Sequence, residues 1–262
     1  CAFLLQAAQS FPAGHLPEHD PLVLGRRGDE PAAGVKRQGM GRSLVRLHDR
    51  PGTAAAEVVQ MSEPGVRSYW AFVERRTPIF TRASKFAPKR GRLRLKTPER
   101  TDEVVYIESR TANSAWYKVR AAGRKTGWVP RSRLGAPQAL STHITIDKSE
   151  RELTLERAGE TVYEFPIGIG QSMYPTPEGE FYIRTKLNGF KSPVYGPRAM
   201  GLSANSKTLT DWPGGGFIGL HGTNQPGLIP GAISHGCVRL RNKNILRLFR
   251  KVSVGTPVTI QA

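Results

Sequence analysis

The chain has 262 residues, enough for one large domain or two smaller ones, and no run of eighteen apolar residues, so its sequence writes no membrane-spanning helix. Its 39 lysines and arginines outnumber 21 aspartates and glutamates, a formal charge of +18 that favours polyanionic partners. The two cysteines, Cys1 and Cys237, leave no cysteine set at zinc spacing.

Residues 1–65 carry equal numbers of acidic and basic side chains and no sustained periodicity, and their Gly- and Pro-rich runs predict a disordered export or linker region. His15, His19 and His48 lie here as solvated tail histidines, and no metal site is expected. Three readings of the opening CAFLLQAAQS stay open. It is the tail of a signal peptide, a mature lipoprotein start with the lipid on Cys1, or a fragment boundary. The first two imply export to the cell wall or the extracytoplasmic face of the membrane.

Residues 66–137 hold 18 basic against 5 acidic side chains, a net +13. Short β-runs follow one another here: YWAFVE, RLRLK, VVYIES, AWYKVRA and GWVPRSRL. The late hairpin WYKVR…GWV resembles a bacterial Src-homology-3-like barrel, so a small basic β-barrel is expected. Tyr69, Trp70, Trp116, Tyr117 and Trp128 divide between its core and a ligand platform. The charge suits anionic wall polymers as a partner; teichoic acid, anionic lipid headgroups and nucleic acid share that chemistry. Nucleic acid fits neither the export-like start nor the motif described below and is not expected.

From residue 141 strands dominate. HITID and RELTLER alternate, with Ile144, Ile146, Leu153 and Leu155 on the core face and His143 on the polar face in a surface or supporting role. TVYEFPIG and GEFYIRTKL add two runs, and FIGL delivers His221 at its end. Residues 186–216 show no periodicity and predict a long loop with Tyr195 and Trp212 as candidates to line a cleft. A helix is expected over residues 243–252, capped by Asn242, with Ile245, Leu248, Phe249 and Val252 on one stripe. PVTI closes the sheet.

The most specific string is LHGTNQPGLIPGAISHGCVRLRN, residues 220–242. A free thiol has a pKa of about 8.5 and needs a neighbouring imidazole to react at neutral pH. Cys237 has His235 two residues before it and His221 sixteen before it, across a loop whose two prolines and two glycines let it return on itself. A Cys1–Cys237 disulfide is not expected, because it would consume that thiol.

This string resembles the active-site signature of the L,D-transpeptidases, cysteine enzymes that cross-link peptidoglycan. His221 matches the family's first histidine, and Ser234, His235, Gly236 and Cys237 match its Ser/Thr-His-Gly-Cys. Val238 and Arg239 follow the arginine variant, and TPEGEFYI at 176–183 is similar to a further family segment. The likeness reaches back to about residue 142. It implies a mainly β fold, a β-sandwich catalytic domain over 141–262 with a short C-terminal helix, preceded by the small barrel.

The same resemblance implies that Cys237 is the nucleophile and His221 the general base, oriented by the backbone carbonyl of Gly222, with His235 in support. No Asp or Glu follows Asp211 to take the carbonyl's place. Ser234 would brace the loop and Gly236 would admit close substrate approach. The N–H of Cys237, with that of Gly236, would meet an oxyanion. Arg239 would hold a stem carboxylate in a fork or anchor its own loop. The implied substrate is the peptidoglycan tetrapeptide stem, joined to a neighbouring stem through a thioester with no cofactor. An L,D-carboxypeptidase or endopeptidase on the same scaffold, and a catalytically inactive wall-binding protein, are the alternatives.

Overall fold

A computed structural model describes residues 57–123, 125–188, 192–206 and 216–262. Cys1, the three tail histidines, Trp212 and nearly all of the expected linker lie outside the described residues. The linker's last part is structured: Val58–Gln60 forms β1, ahead of the start expected at residue 66.

The first sheet continues with β2 (Ser68–Phe72), β3 (Thr77–Phe80), β4 (Lys89–Leu93), β5 (Val104–Thr111), β6 (Trp116–Ala121), β7 (Lys125–Pro130) and β8 (Gln138–Leu140). Its order is β4-β3-β7-β6-β5-β2-β8, with β1 also beside β5. Alternation gives the sheet one inner face, where Ala71, Ile79, Val105, Ile107, Val119 and Val129 form a core. The aromatics divide: Tyr117 is in that core, Tyr69 packs against it, and Trp116 is only part-buried, edge-on to Phe80. Trp70 turns the other way, into a separate cluster with Val104, Tyr106 and Tyr182.

The second sheet comprises β9 (Thr142–Asp147), β10 (Glu152–Arg157), β11 (Glu160–Gly170), β12 (Gly179–Asn188), β13 (Arg198–Asn205), β14 (Phe217–His221), β15 (Gly231–Ser234), β16 (Val238–Leu240) and β17 (Pro257–Gln261). It forms the two layers of a β-sandwich because its two longest strands serve both. β11 pairs β10 through Pro166 and then β16 and β15 from Ile167 onward. β12 pairs β17 through Tyr182 and β13 from Ile183. Ile144, Ile146, Leu153, Leu155 and Ile260 of one layer share a core with Ile183, Met200, Leu202, Ile218 and Leu220 of the other. Each such side chain contributes about 1.5–3 kcal/mol by leaving water.

Two expectations are corrected here. Residues 186–216 are not one long loop: β13 occupies Arg198–Asn205, and Ala199 through Ala204 are buried without a break. A strand covered on both faces shows no alternation to read. The helix α1, Asn242–Lys251, does bury Ile245 and Leu248, but its N-cap is Arg241. Asn242 Oδ1 is occupied elsewhere, accepting the Thr223 N–H at 2.9 Å. At the other end of α1, Lys186 Nζ of β12 donates to the Phe249 and Val252 carbonyls at 2.7 and 2.8 Å, closing the last turn.

Residues 55–262 form one compact unit. The two sheets meet where Tyr182 of β12 enters the Trp70 cluster, and its hydroxyl donates to the Val104 carbonyl at 3.0 Å.

Candidate active site

β14 is the strand around which the site is built. Its apolar run buries Ile218 and Leu220 completely and brings His221 to the strand's end. β16 lies parallel beside it, Leu220 opposite Val238 and His221 opposite Arg239. Opposed residues of a parallel pair project to one face, and the period of two adds the position before Val238 to that face. The motif's ends therefore meet through strand register: Cys237 lies beside Gly219, whose N–H donates to Sγ at 3.3 Å.

His221 is 2% exposed, and its Nδ1–H donates to the Gly222 carbonyl at 2.6 Å. A carbonyl only accepts, so the neutral ring carries its proton on Nδ1 and its lone pair on Nε2. Burial pushes the imidazole pKa down to about 4; the Gly222 bond opposes that shift and the Arg239 charge adds to it. The ring is therefore neutral at pH 7. Tyr195 stands edge-on against it, ring centroids 5.0 Å apart.

Gly222 must be glycine. A Cβ there would strike Asn242 Oδ1 and lie 3.0 Å from Gly196 and Pro197. The Asn242 amide that ties down Thr223 thus also walls the carbonyl holding His221.

The Cys237 turn is fixed by two hydroxyls. Ser234 Oγ donates to the Cys237 carbonyl at 2.5 Å and accepts the Gly236 N–H at 3.1 Å. That bond corrects one expectation, because the Gly236 N–H is turned to Ser234 and not toward a substrate oxyanion. Thr176 Oγ1 accepts the Gly170 N–H at 2.9 Å and donates to the Gly236 carbonyl at 3.0 Å. In a trans peptide C=O and N–H point oppositely, so Thr176 aims the Cys237 N–H away from itself. Gly236 has φ +116, a backbone that glycine alone adopts readily.

His235 is exposed and packs edge-on against Tyr174 at 4.8 Å, so the two candidate histidines sit in opposite environments. Arg239 is half-buried and its Nε has no hydrogen-bond partner. His143 lies elsewhere, its ring nitrogens 3.0 Å from Glu156 Oε2 and 2.9 Å from Thr259 Oγ1. Among the described residues no group of three His, Cys, Asp or Glu side chains could hold a metal ion.

Thr176, Asn242 and Gly219 were missed by the sequence reading. The first two stood in segments already singled out, a TPEG strand start and a helix start, yet only the fold shows whom they bond. Gly219 had no signal, because its contribution is a backbone N–H.

Comparison with known proteins follows the same boundaries. The YkuD family model, an L,D-transpeptidase catalytic domain, matches residues 141–260. YkuD of Bacillus subtilis (strain 168), which bears the name of an L,D-transpeptidase, is 34% identical over 124 residues, 47% of this chain and 68% of that protein. YbiS of Escherichia coli (strain K12), named likewise, is 38% identical over 141 residues, 47% of this chain and 45% of its own. A solved L,D-transpeptidase from Mycobacterium smegmatis is 20% identical with a TM-score of 0.40, covering 58% of this chain and 80% of that one.

Proposed function

The chain belongs to the YkuD family of L,D-transpeptidase catalytic domains, and on that premise we propose that it cross-links peptidoglycan through a thioester on Cys237. The observation that carries this reading is a buried thiol just before β16 and a buried neutral imidazole, its tautomer set by Gly222, at the end of the paired strand β14.

The donor is a tetrapeptide stem. His221 Nε2 takes the thiol proton as Sγ attacks the carbonyl at the L-centre next to the terminal D-residue. The oxyanion meets the Cys237 N–H, held in its direction by Thr176. Collapse breaks the peptide bond, and His221 returns the proton to the departing D-residue amine. An amine of a neighbouring stem then attacks the thioester, loses its proton to His221, and leaves a cross-link and a restored thiol. With diaminopimelate as acceptor the product is a 3→3 bond. Arg239 faces the same side as His221 and holds a stem carboxylate, and Tyr195 borders the cleft.

The substrate lies outside the cytoplasmic membrane, so the enzyme works there. The basic first sheet, with Arg90, Arg92 and Arg94 exposed, associates with anionic wall polymers.

Single-turnover acylation tests the roles. Cys237→Ser should abolish cross-linking in a folded protein, and His221→Ala should lose about 10²–10⁴-fold, more than His235→Ala. Turnover by Cys237→Ser would overturn the nucleophile, and a worse His235→Ala variant would exchange the histidines. Trimmed stem without cross-linked dimer would make water the acceptor.

A further inference from the structure

Charged side chains cross between the two sheets, Arg120 of β6 to Glu180 of β12 at 3.9 Å and Glu103 to Arg184, and the second of these contacts leads to the active-site strand. Glu103 precedes β5 and is buried at 7% exposure; it meets Arg184 of β12, buried at 5%. Arg184 Nε donates to Glu103 Oε1 at 2.8 Å and Nη2 to Oε2 at 2.5 Å, a two-pronged buried pair. Arg184 reaches across because it is the extra residue of a β-bulge: Ile183 pairs Leu202 and Thr185 pairs Gly201. Bulges re-aim a side chain in this way.

The other face of the same guanidinium lies 4.4 Å from the ring centroid of Phe217, the first residue of β14. Next along β14, Ile218 packs at Gly236, where an added Cβ would lie 3.2 Å from its Cδ1. Gly219 then donates to Cys237 Sγ, and His221 ends the strand. An ion pair fixed from the first sheet thus sets the start of the strand that supplies both a sulfur contact and the imidazole.

We propose that Glu103 is a positioning residue for the reaction: through Arg184 and Phe217 it holds β14 in the register that Cys237 needs. The first sheet is then part of the catalytic apparatus as well as a wall-binding surface. The proposal rests on Cys237 being the nucleophile.

Thr101 provides the control. It bridges the same two sheets, its hydroxyl 3.0 Å from Thr185 Oγ1, but that contact reaches β14 through the backbone ladder, Thr185 opposite Gly201 and Gly201 opposite Gly219, and not through a side chain on Phe217. The full chain is compared as wild type, Glu103→Gln, Phe217→Leu and Thr101→Val, well below each variant's unfolding midpoint. The readouts are kcat and KM with disaccharide-tetrapeptide and the alkylation rate of Cys237 by iodoacetamide. Glu103→Gln and Phe217→Leu should each lower kcat about 10- to 100-fold with KM nearly unchanged, alkylation falling in parallel. Thr101→Val should keep the wild-type kcat. Should Glu103→Gln not fold, Phe217→Leu, which keeps the ion pair, decides alone. A folded Glu103→Gln with wild-type kcat overturns the proposal, as does a Thr101→Val loss equal to that of Glu103→Gln, which reduces the interface to stability. A wild type that neither turns over nor is alkylated at Cys237 overturns the nucleophile assignment and this proposal with it.

Discussion

His221 is held neutral by its surroundings, and that has consequences for both stability and reactivity. Its pKa in the fold is about 4 against 6.5 for the exposed ring. Above pH 6.5 neither the folded nor the unfolded chain protonates it. As pH falls from there through about 4, the unfolded chain binds a proton that the fold refuses, and on the order of 3 kcal/mol of stability is lost. Urea midpoints across this window should fall more steeply for the wild type than for His221→Gln; equal slopes would contradict the burial argument. A neutral His221 is free to take the thiol proton on Nε2 during attack. A thiolate-absorbance titration should find little thiolate at about pH 6, where a preformed thiolate–imidazolium pair would be fully developed. Thr176 tests the oxyanion geometry. Thr176→Val should lower kcat about tenfold or more and cost about 1–2 kcal/mol, since it frees the 236–237 peptide and leaves the Gly170 N–H without its acceptor. Loss of stability with unchanged kcat would confine Thr176 to a bracing role.

At the scale of elements, the turn before β16 depends on a backbone that only glycine supplies cheaply. Gly236→Ala would force φ +116 on a side-chain-bearing residue 3.2 Å from Ile218 Cδ1, and should cost about 1–3 kcal/mol with loss of activity. A thermal midpoint equal to the wild type's would refute that strain. What the sequence made legible followed from how each element is covered. β9 and β10 have one buried face and one polar face, so HITID and RELTLER announced themselves through alternation. β13 is buried on both faces, and β16 is only three residues long, so neither carried a periodic signal. The α1 stripe was readable, but its cap was not, because Asn242 serves Thr223 and the wall of Gly222 instead. Likewise the motif singled out Cys237 and His221, which lie just before β16 and at the end of its neighbour β14, while Gly219 and Thr176 act through backbone bonds that no residue pattern encodes.

Across the whole molecule, the two sheets share side chains as well as a chain. Tyr182 is wholly buried among Trp70, Val104 and Tyr106, and a Cβ at Gly255 would run into the Trp70 ring. Removing the first sheet would therefore expose part of the second one's packing, and wall association is better tested in the intact protein. Replacing Arg90, Arg92 and Arg94 by serine should weaken retention on purified walls at low salt, with the difference vanishing as salt rises, because exposed charges are screened over about 10 Å at about 0.1 M. Turnover of soluble stem should not change; equal, salt-insensitive retention would make the charge incidental. The central claim, a thioester on Cys237, is tested most directly by mass spectrometry of the whole protein incubated with disaccharide-tetrapeptide. The account predicts one adduct, equal to the donor less its terminal D-residue, mapping to the peptide that contains Cys237 and absent from Cys237→Ser. Cross-linked product without that adduct in a rapid-quench series, or an adduct that persists in Cys237→Ser, would contradict it.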